Sequence, residues 1–281
     1  MLRSQVYKRS DVLFIQKVLP FCVLTGVSLV AQSQASCSRA MQVPVAAIGL
    51  SVTHGDEGFG GVYPEILRSV QGCNFVLSAV PRARQQALFE SGRADLLVPA
   101  SRSAQRDEWG HFVPLIQARA VLISLQSERA PLKSLRELRD RRELRVALVR
   151  GFDYGEAYQD LLRDLRAQDR LVLEADVLGV ARLMSAGMAD VTVMAPSILI
   201  GAITVDRRWN ALLDRLRMEP VDELPWGDSG VYISRASVSE ADRLALTLAL
   251  ERVARSGQVW RAFQRHYPPG SLNESIRPRR E

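Results

Sequence analysis

One short pattern occurs twice in this chain and constrains its fold more than any other feature. Leu88-x-x-x-Gly92-Arg93-Ala94-Asp95 leads into an apolar run that ends at Pro99. Leu183-x-x-x-Gly187-Met188-Ala189-Asp190 leads into another that ends at Pro196. Each copy reads as the end of a helix, a glycine cap and a buried strand. The two copies lie 95 residues apart, from Gly92 to Gly187, a spacing that suits two lobes of similar build. For so short a pattern, coincidence is the competing explanation.

The segments around the echo alternate strand and helix. Val45–Leu50, Phe75–Val80, Ala94–Val98, Ala118–Leu125, Leu144–Val149, Leu171–Val177, Val191–Met194 and Gly230–Ser234 read as short apolar strands. His54–Gly61 reads as a glycine-rich turn, and Pro64 as the start of a helix with Ile66, Leu67 and Val70 on its apolar face. Ser134–Glu137 is a capping-box pattern. Helices are expected through Leu88 and Phe89, from Tyr154 to Leu165, through Leu183 and Met184, from Ser237 to Arg255, and through Val259 to Tyr267. Strands alternating with helices predict an α/β protein with mostly parallel sheets. In such sheets ligands sit at the carboxyl ends of the strands.

The first 35 residues predict export. Arg3, Lys8, Arg9 and Lys17 precede an apolar stretch, Val18–Val30, and then Ser33-Gln34-Ala35, a site for cleavage after Ala35. A retained membrane anchor is the other reading of this segment. Its run is short of the roughly 20 residues a span needs, and Pro20 interrupts it. A lipoprotein reading through Cys37 meets a poor lipobox in Gln34-Ala35-Ser36. Loss of residues 1–35 removes four basic and one acidic side chain, so the net charge falls from +6 to +3. The tail Arg277–Glu281, expected to be disordered, holds +2 of that. The body is near neutral, which removes the argument for a nucleic-acid partner that a pI of 9.6 would otherwise make. Cys22 leaves with the leader, and Cys37 and Cys73 are then an even pair in an oxidising compartment, predicting a disulfide.

The motifs of common catalysts do not appear. His54, His111 and His266 are not in metal-ligand spacing, and no Gly-x-Ser-x-Gly occurs. Gly55-Asp56-Glu57-Gly58-Phe59-Gly60-Gly61 fits neither a Walker loop nor a dinucleotide fingerprint. No cofactor, metal or catalytic set is expected, although a triad assembled in space would escape this search.

From Gly92 the run Gly92-x-x-Asp95, apolar strand, Ser101-Arg102-Ser103-Ala104-Gln105-Arg106, His111-Phe112-Val113-Pro114-Leu115 resembles the type II periplasmic solute-binding proteins. It is most similar to the amino-acid-binding group, bacterial extracellular solute-binding protein family 3. There the pattern is Gly-x-x-Asp, strand, Ser/Thr-x-x-Arg, Phe-Ser-x-Pro-Tyr. The likeness runs from about Val45 to Tyr267, with its specific part near 80–115 and in the second Gly-x-Ala-Asp.

The resemblance implies a two-lobed fold, each lobe a mostly parallel sheet flanked by helices, with two crossovers between them. Lobe 1 would be 36–120 plus 222–281 and lobe 2 would be 121–221, closing on ligand by a hinge. By position, Arg106 matches the family's carboxylate-binding arginine, a role for which a guanidinium offers two parallel charged hydrogen bonds. Ser101 and Ser103 match the loop that holds the ligand's polar end. Gly151, Phe152 and Asp153 match a lobe-2 loop that presents N–H groups to an anion. His54 stands where an aromatic often stacks on ligand, against a solvated turn histidine as the plainer reading. Arg82 faces either the cleft or solvent.

One departure from the family pattern bears on the ligand. Where amino-acid binders place an acidic residue for the ammonium, this chain has Met194-Ala195-Pro196-Ser197. An unpaired ammonium in a closed cleft is costly, so a carboxylate or other small anion fits what remains. The resemblance implies a monomeric periplasmic receptor for an amino acid or small carboxylate, serving an inner-membrane ABC-type permease or a sensor. The alternatives are an enzyme on the same scaffold, such as a dehydratase of a cyclic carboxylate using Asp153, Asp228, Glu57 or His54, and a ligand-free interaction module.

Overall fold

The computed structural model describes residues 36–279, so the predicted leader lies outside the described residues. The first part of the chain forms β1 (Met41–Val45), β2 (Thr53–Gly55), β3 (Gly58–Gly60), α1 (Val62–Ser69), β4 (Phe75–Ala79), α2 (Arg82–Glu90), β5 (Leu96–Ser101), α3 (Ala104–Trp109) and β6 (Gly110–Ala118). It then crosses to β7 (Val121–Leu125), α4 (Leu135–Asp140), β8 (Val146–Val149), α5 (Glu156–Ala167), β9 (Leu171–Glu174), α6 (Val177–Ser185), β10 (Val191–Met194), α7 (Pro196–Val205), a 3₁₀ helix (Arg207–Arg215) and β11 (Leu216–Glu219). It returns for β12 (Gly227–Ser234), α8 (Glu240–Arg255), α9 (Gln258–His266) and β13 (Ile276–Arg277). One sheet runs β11-β7-β10-β8-β9, another β13-β6-β12-β5, and β1 pairs with β4. The result is a two-lobed α/β architecture with two strand-to-strand crossings, 119–120 and 220–226.

The echo has the same physical content in both lobes. Gly92 and Gly187 sit at φ 67° and 65°, the left-handed cap that glycine adopts without strain. Arg93 N–H reaches Leu88 O, and Met188 N–H reaches Leu183 O, both at 2.8 Å, closing a Schellman cap on each helix. Asp95 N–H donates to Gln42 O while Asp95 Oδ2 accepts from Gln42 N–H. Asp190 does the same with Arg145, at 2.9 and 2.7 Å. The repeated aspartate therefore pins its own strand to the adjoining one through a two-bond ring.

Strand direction differs from the expectation. The sheets are mixed rather than mostly parallel: β12 is antiparallel to both β5 and β6. The unit β5-α3-β6 would make a parallel neighbour pair on its own, but the strand returning from the other lobe inserts between its members. Parallel pairing holds for β1 with β4 and for β10-β8-β9. The first strand lies earlier than expected, at 41–45, because Met41 and Val43 are buried while 46–52 must bend. Gly49 is at φ 55° in that bend, and a Cβ there would meet the α7 backbone at 2.6 Å. The expected turn at 54–61 is a small hairpin of β2 and β3, and Tyr154 precedes its helix. Of the C-terminal tail, Arg277 belongs to β13, which pairs with β6, and its Nε donates to Gln117 Oε1. Cys37 and Cys73 form the expected disulfide, reinforced by Cys37 N–H to Gly72 O.

Candidate functional site

A cavity of about 60 Å³ lies between the lobes. Ile48, Ser51, Tyr63, Arg82 and the loop Pro99–Ser101 line it from the first lobe. Phe152, Asp153, Tyr154, Ala195, Ser197 and Ile198 line it from the second. The return strand and the C-terminal segment add Ser229, Phe263 and Ile276. As the strand rule predicts, the walls come from the ends of β5 and β10 and from the loop after β8.

Arg82 opens α2 and turns into this cavity, with 6% of its surface exposed. Its Nη1 donates to Gln85 Oε1 at 2.6 Å, and Gln85 Nε2 donates in turn to Val98 O, which fixes the guanidinium plane. Its Nε–H is buried without an acceptor. Burial, reinforced by the Arg106 charge, pushes the Arg82 guanidinium down to about 9.

Arg106 is 1% exposed and stands one layer behind the cavity wall. Its Nη1 donates to Ser101 O at 2.9 Å and its Nε to Gln86 Oε1 at 3.2 Å. Burial lowers its pKa, partly offset by the Asp153 charge. Ser103 caps α3, its Oγ accepting from Arg106 N–H. Asp153 Oδ1 accepts from Gly155 N–H and Gln159 Nε2, both at 3.0 Å. Burial raises the Asp153 carboxyl, but the Gln159 bond, the Arg106 charge, the Gly155 N–H and the Ser103 hydroxyl outweigh it, and the group lies below its ordinary value. Asp153 follows β8 and Ser103 follows β5, strands of two different sheets, so this polar pair joins the two.

The sequence-derived candidates therefore separate. Arg82, Ser101, Phe152 and Asp153 line the cavity, with Arg106 and Ser103 just behind. Gly151 sits at φ 83°, and a Cβ on it would stand 3.0 Å from Ala83 of the opposite lobe. His54 lies outside this group, exposed on the β2–β3 hairpin against Phe59. Of the candidate acids, Asp153 alone lines the cavity; Glu57 is exposed on the hairpin, and Asp228 lines an adjoining cavity with Arg119, which shares Ser101, Ala118 and Tyr154 with the first.

Sequence reasoning missed Tyr63 and Tyr154. Burial pushes Tyr63 up to about 12, with a Ser229 hydrogen bond and the Arg82 charge pulling it back. Tyr154 is raised further by burial, against the Ala195 backbone and both arginines. Both are neutral hydroxyls at neutral pH. Their apolar rings made them indistinguishable from core positions in the sequence.

A scan of the sequence against family models finds no match, and neither does a comparison with curated proteins. The structure does match solved ones. A histidine kinase sensor domain described as similar to periplasmic binding proteins superposes with TM-score 0.64 at 19% identity, over 81% of this chain and 96% of that one. The arginine-, lysine-, histidine-binding protein ArtJ from Geobacillus stearothermophilus gives 0.65 at 13%, over 84% and 99%. EhuB in complex with hydroxyectoine gives 0.65 at 16%, over 84% and 91%. The chain has the two-lobed type II periplasmic-binding-protein fold.

Proposed function

We propose that this chain is a periplasmic solute-binding protein that captures a small polar solute, an amino acid or other small carboxylate, between its lobes. Residues 36–120 with 222–281 make one lobe and 121–221 the other, and closure on ligand brings them together. The observation that carries the reading is a cavity walled by both lobes, with one buried guanidinium inside it and a second behind it. Cations removed from water without a full set of anionic partners point to a ligand that supplies one. Arg106 and Arg82 are the proposed anion anchors. Ser101, Ser103, Gly151, Phe152 and Asp153 shape the polar end, and His54 is left at the rim.

An ABC-type permease is the proposed partner. The sensor-domain neighbour supports a second reading, in which the same cleft reports solute to a signalling protein. The leader expected from the sequence and the likeness to periplasmic binding proteins support export to the periplasm as part of this reading.

A thermal-shift screen over amino acids and small organic acids tests the reading. A ligand of the folded form raises the melting temperature as its concentration rises. Arg106→Ala is expected to abolish the carboxylate-dependent shift, and an unchanged shift removes Arg106 from the site. Mass spectrometry of the recovered ligand separates binding from turnover.

A further inference from the structure

We infer that the cleft selects a short carboxylic acid carrying no amine, and that Arg82 is the side chain that holds its carboxylate. The inference rests on reading the inter-lobe cavity as a solute site, and it names the class of solute.

The first support is the state of Arg82. Its head group is clamped by Gln85 and reaches the cavity, yet its Nε–H has no acceptor. Buried donors are nearly always paired, so an acceptor is missing from the set. Arg106, by contrast, already spends Nε and Nη1 on Gln86 and Ser101.

The second support is charge balance. Two buried guanidiniums face one cavity carboxylate, Asp153, whose Oδ1 is already committed to Gly155 and Gln159. Asp107 is bonded to Tyr232 and Arg102, while Glu90, whose charge acts on Arg106, does not line the cavity. Among the described residues no carboxylate is bonded to Arg82, and its positive charge stands without a direct partner. A monoanion cancels it. A zwitterion leaves it in place and sets an ammonium among guanidiniums.

The third support is the far wall. The start of α7 contributes Ala195, Ser197 and Ile198, with no carboxylate, and the positive end of the α7 dipole disfavours a cation there. Ser197 N–H and Oγ are both tied to Ser275 Oγ.

Size completes the description. About 60 Å³ holds roughly four to six water-sized groups, and Ile48, Phe152, Phe263 and Ile276 offer apolar contact to a short hydrocarbon tail.

Calorimetric titration of the mature protein with matched pairs that differ only in the amine, propionate against alanine and butyrate against 2-aminobutyrate, tests this. The amine-free acid is expected to bind at least about 10-fold tighter. Arg82→Met is expected to weaken it about 100-fold, the scale of losing one partner of a buried charge pair. Arg82→Lys, which keeps charge but not the planar fork, is expected to fall between. Equal or tighter binding of the amino acid overturns the inference and leaves the cleft reading standing. Wild-type affinity in Arg82→Met overturns the assignment of the anchor. If no small solute binds, the cleft reading falls and takes this one with it. The matched pairs on the unmutated protein decide the question even where a variant fails to fold.

Discussion

Glu219 shows how a single residue ties stability to pH. It ends β11 fully buried, with Arg129 Nη2 at 2.7 Å, Arg217 Nε at 3.2 Å, and the Ser124 hydroxyl and Leu132 N–H also donating to it. Burial raises its carboxyl, but the Arg129 bond and the other donors outweigh that and hold it below the ordinary 4.5. A carboxyl depressed on folding contributes stability that is fully present above its unfolded value and is lost as pH falls through the folded one. Asp95 is depressed in the same direction, by Arg39 and Gln42 N–H acting against burial. Stability is therefore expected to hold near neutral pH and to fall below about 4.5. Glu219→Gln is expected to cost about 2 kcal/mol at pH 7, because it leaves two partly buried guanidiniums without their carboxylate. Urea denaturation at pH 7 and pH 3 checks both, since the gap between variant and parent narrows in acid. At this scale the sequence was partly legible. Asp95 and Asp190 stood out because a backbone cap repeats, and Arg106 because its motif is local. Glu219 carried no signal, since its partners come from positions up to 95 residues away, and Arg82 stood out only as facing either cleft or solvent, because the sequence does not show which way α2 turns it.

The disulfide and the hinge decide how the elements are held. Cys37–Cys73 joins the segment before β1 to the turn before β4 and closes a loop with a sequence separation of 36. A cross-link of that span contributes about 2–4 kcal/mol. Cys37→Ser with Cys73→Ser is expected to lower stability by that amount, read from chemical denaturation, and the denatured unreduced protein without residues 1–35 is expected to show no titratable thiol. At the return crossing, Trp226 lies between Arg119 and Arg277, whose guanidiniums are 4.9 and 4.3 Å from its ring. Arg119 belongs to the first crossing and Arg277 to β13, so one indole joins both crossings and the C-terminal strand. Trp226→Ala is expected to cost about 1–2 kcal/mol, the sum of two such contacts, in the same assay. Elements were easiest to foresee where a cap or period marked them, as with α8 and β10. The helix α7 was missed because Ile198, Leu199, Ile200, Ala202 and Ile203 are apolar all round, with no polar face to fix a period. The strand β11 was missed because Leu216-Arg217-Met218-Glu219 alternates against an unusual neighbour, a buried ion cluster.

For the whole molecule, the proposed function makes the close approach of the lobes the property on which binding depends, and Gly151 is where it can be tested. The loop after β8 brings Gly151 so near α2 that a Cβ would lie 3.0 Å from both the Cα and the N of Ala83. Backbone atoms cannot give way as a flexible side chain can, so one methyl group works against the closed arrangement. Gly155 provides the control within the same loop: it too has positive φ, at 94°, but nothing lies within 4 Å of its Cβ position. Both alanine variants carry the backbone strain of a positive φ, and Gly155, with ψ −173°, lies in a region that is essentially glycine-only, at about 1–3 kcal/mol; only Gly151→Ala adds the collision. If closure traps the solute, Gly151→Ala is expected to weaken binding of the screened acid at least 10-fold more than Gly155→Ala. Small-angle scattering with saturating ligand is then expected to show a larger radius of gyration for Gly151→Ala than for the parent. Equal affinity in the two variants would mean that the solute is held without the lobes meeting at this loop, and the cavity would have to be reached and sealed in another way.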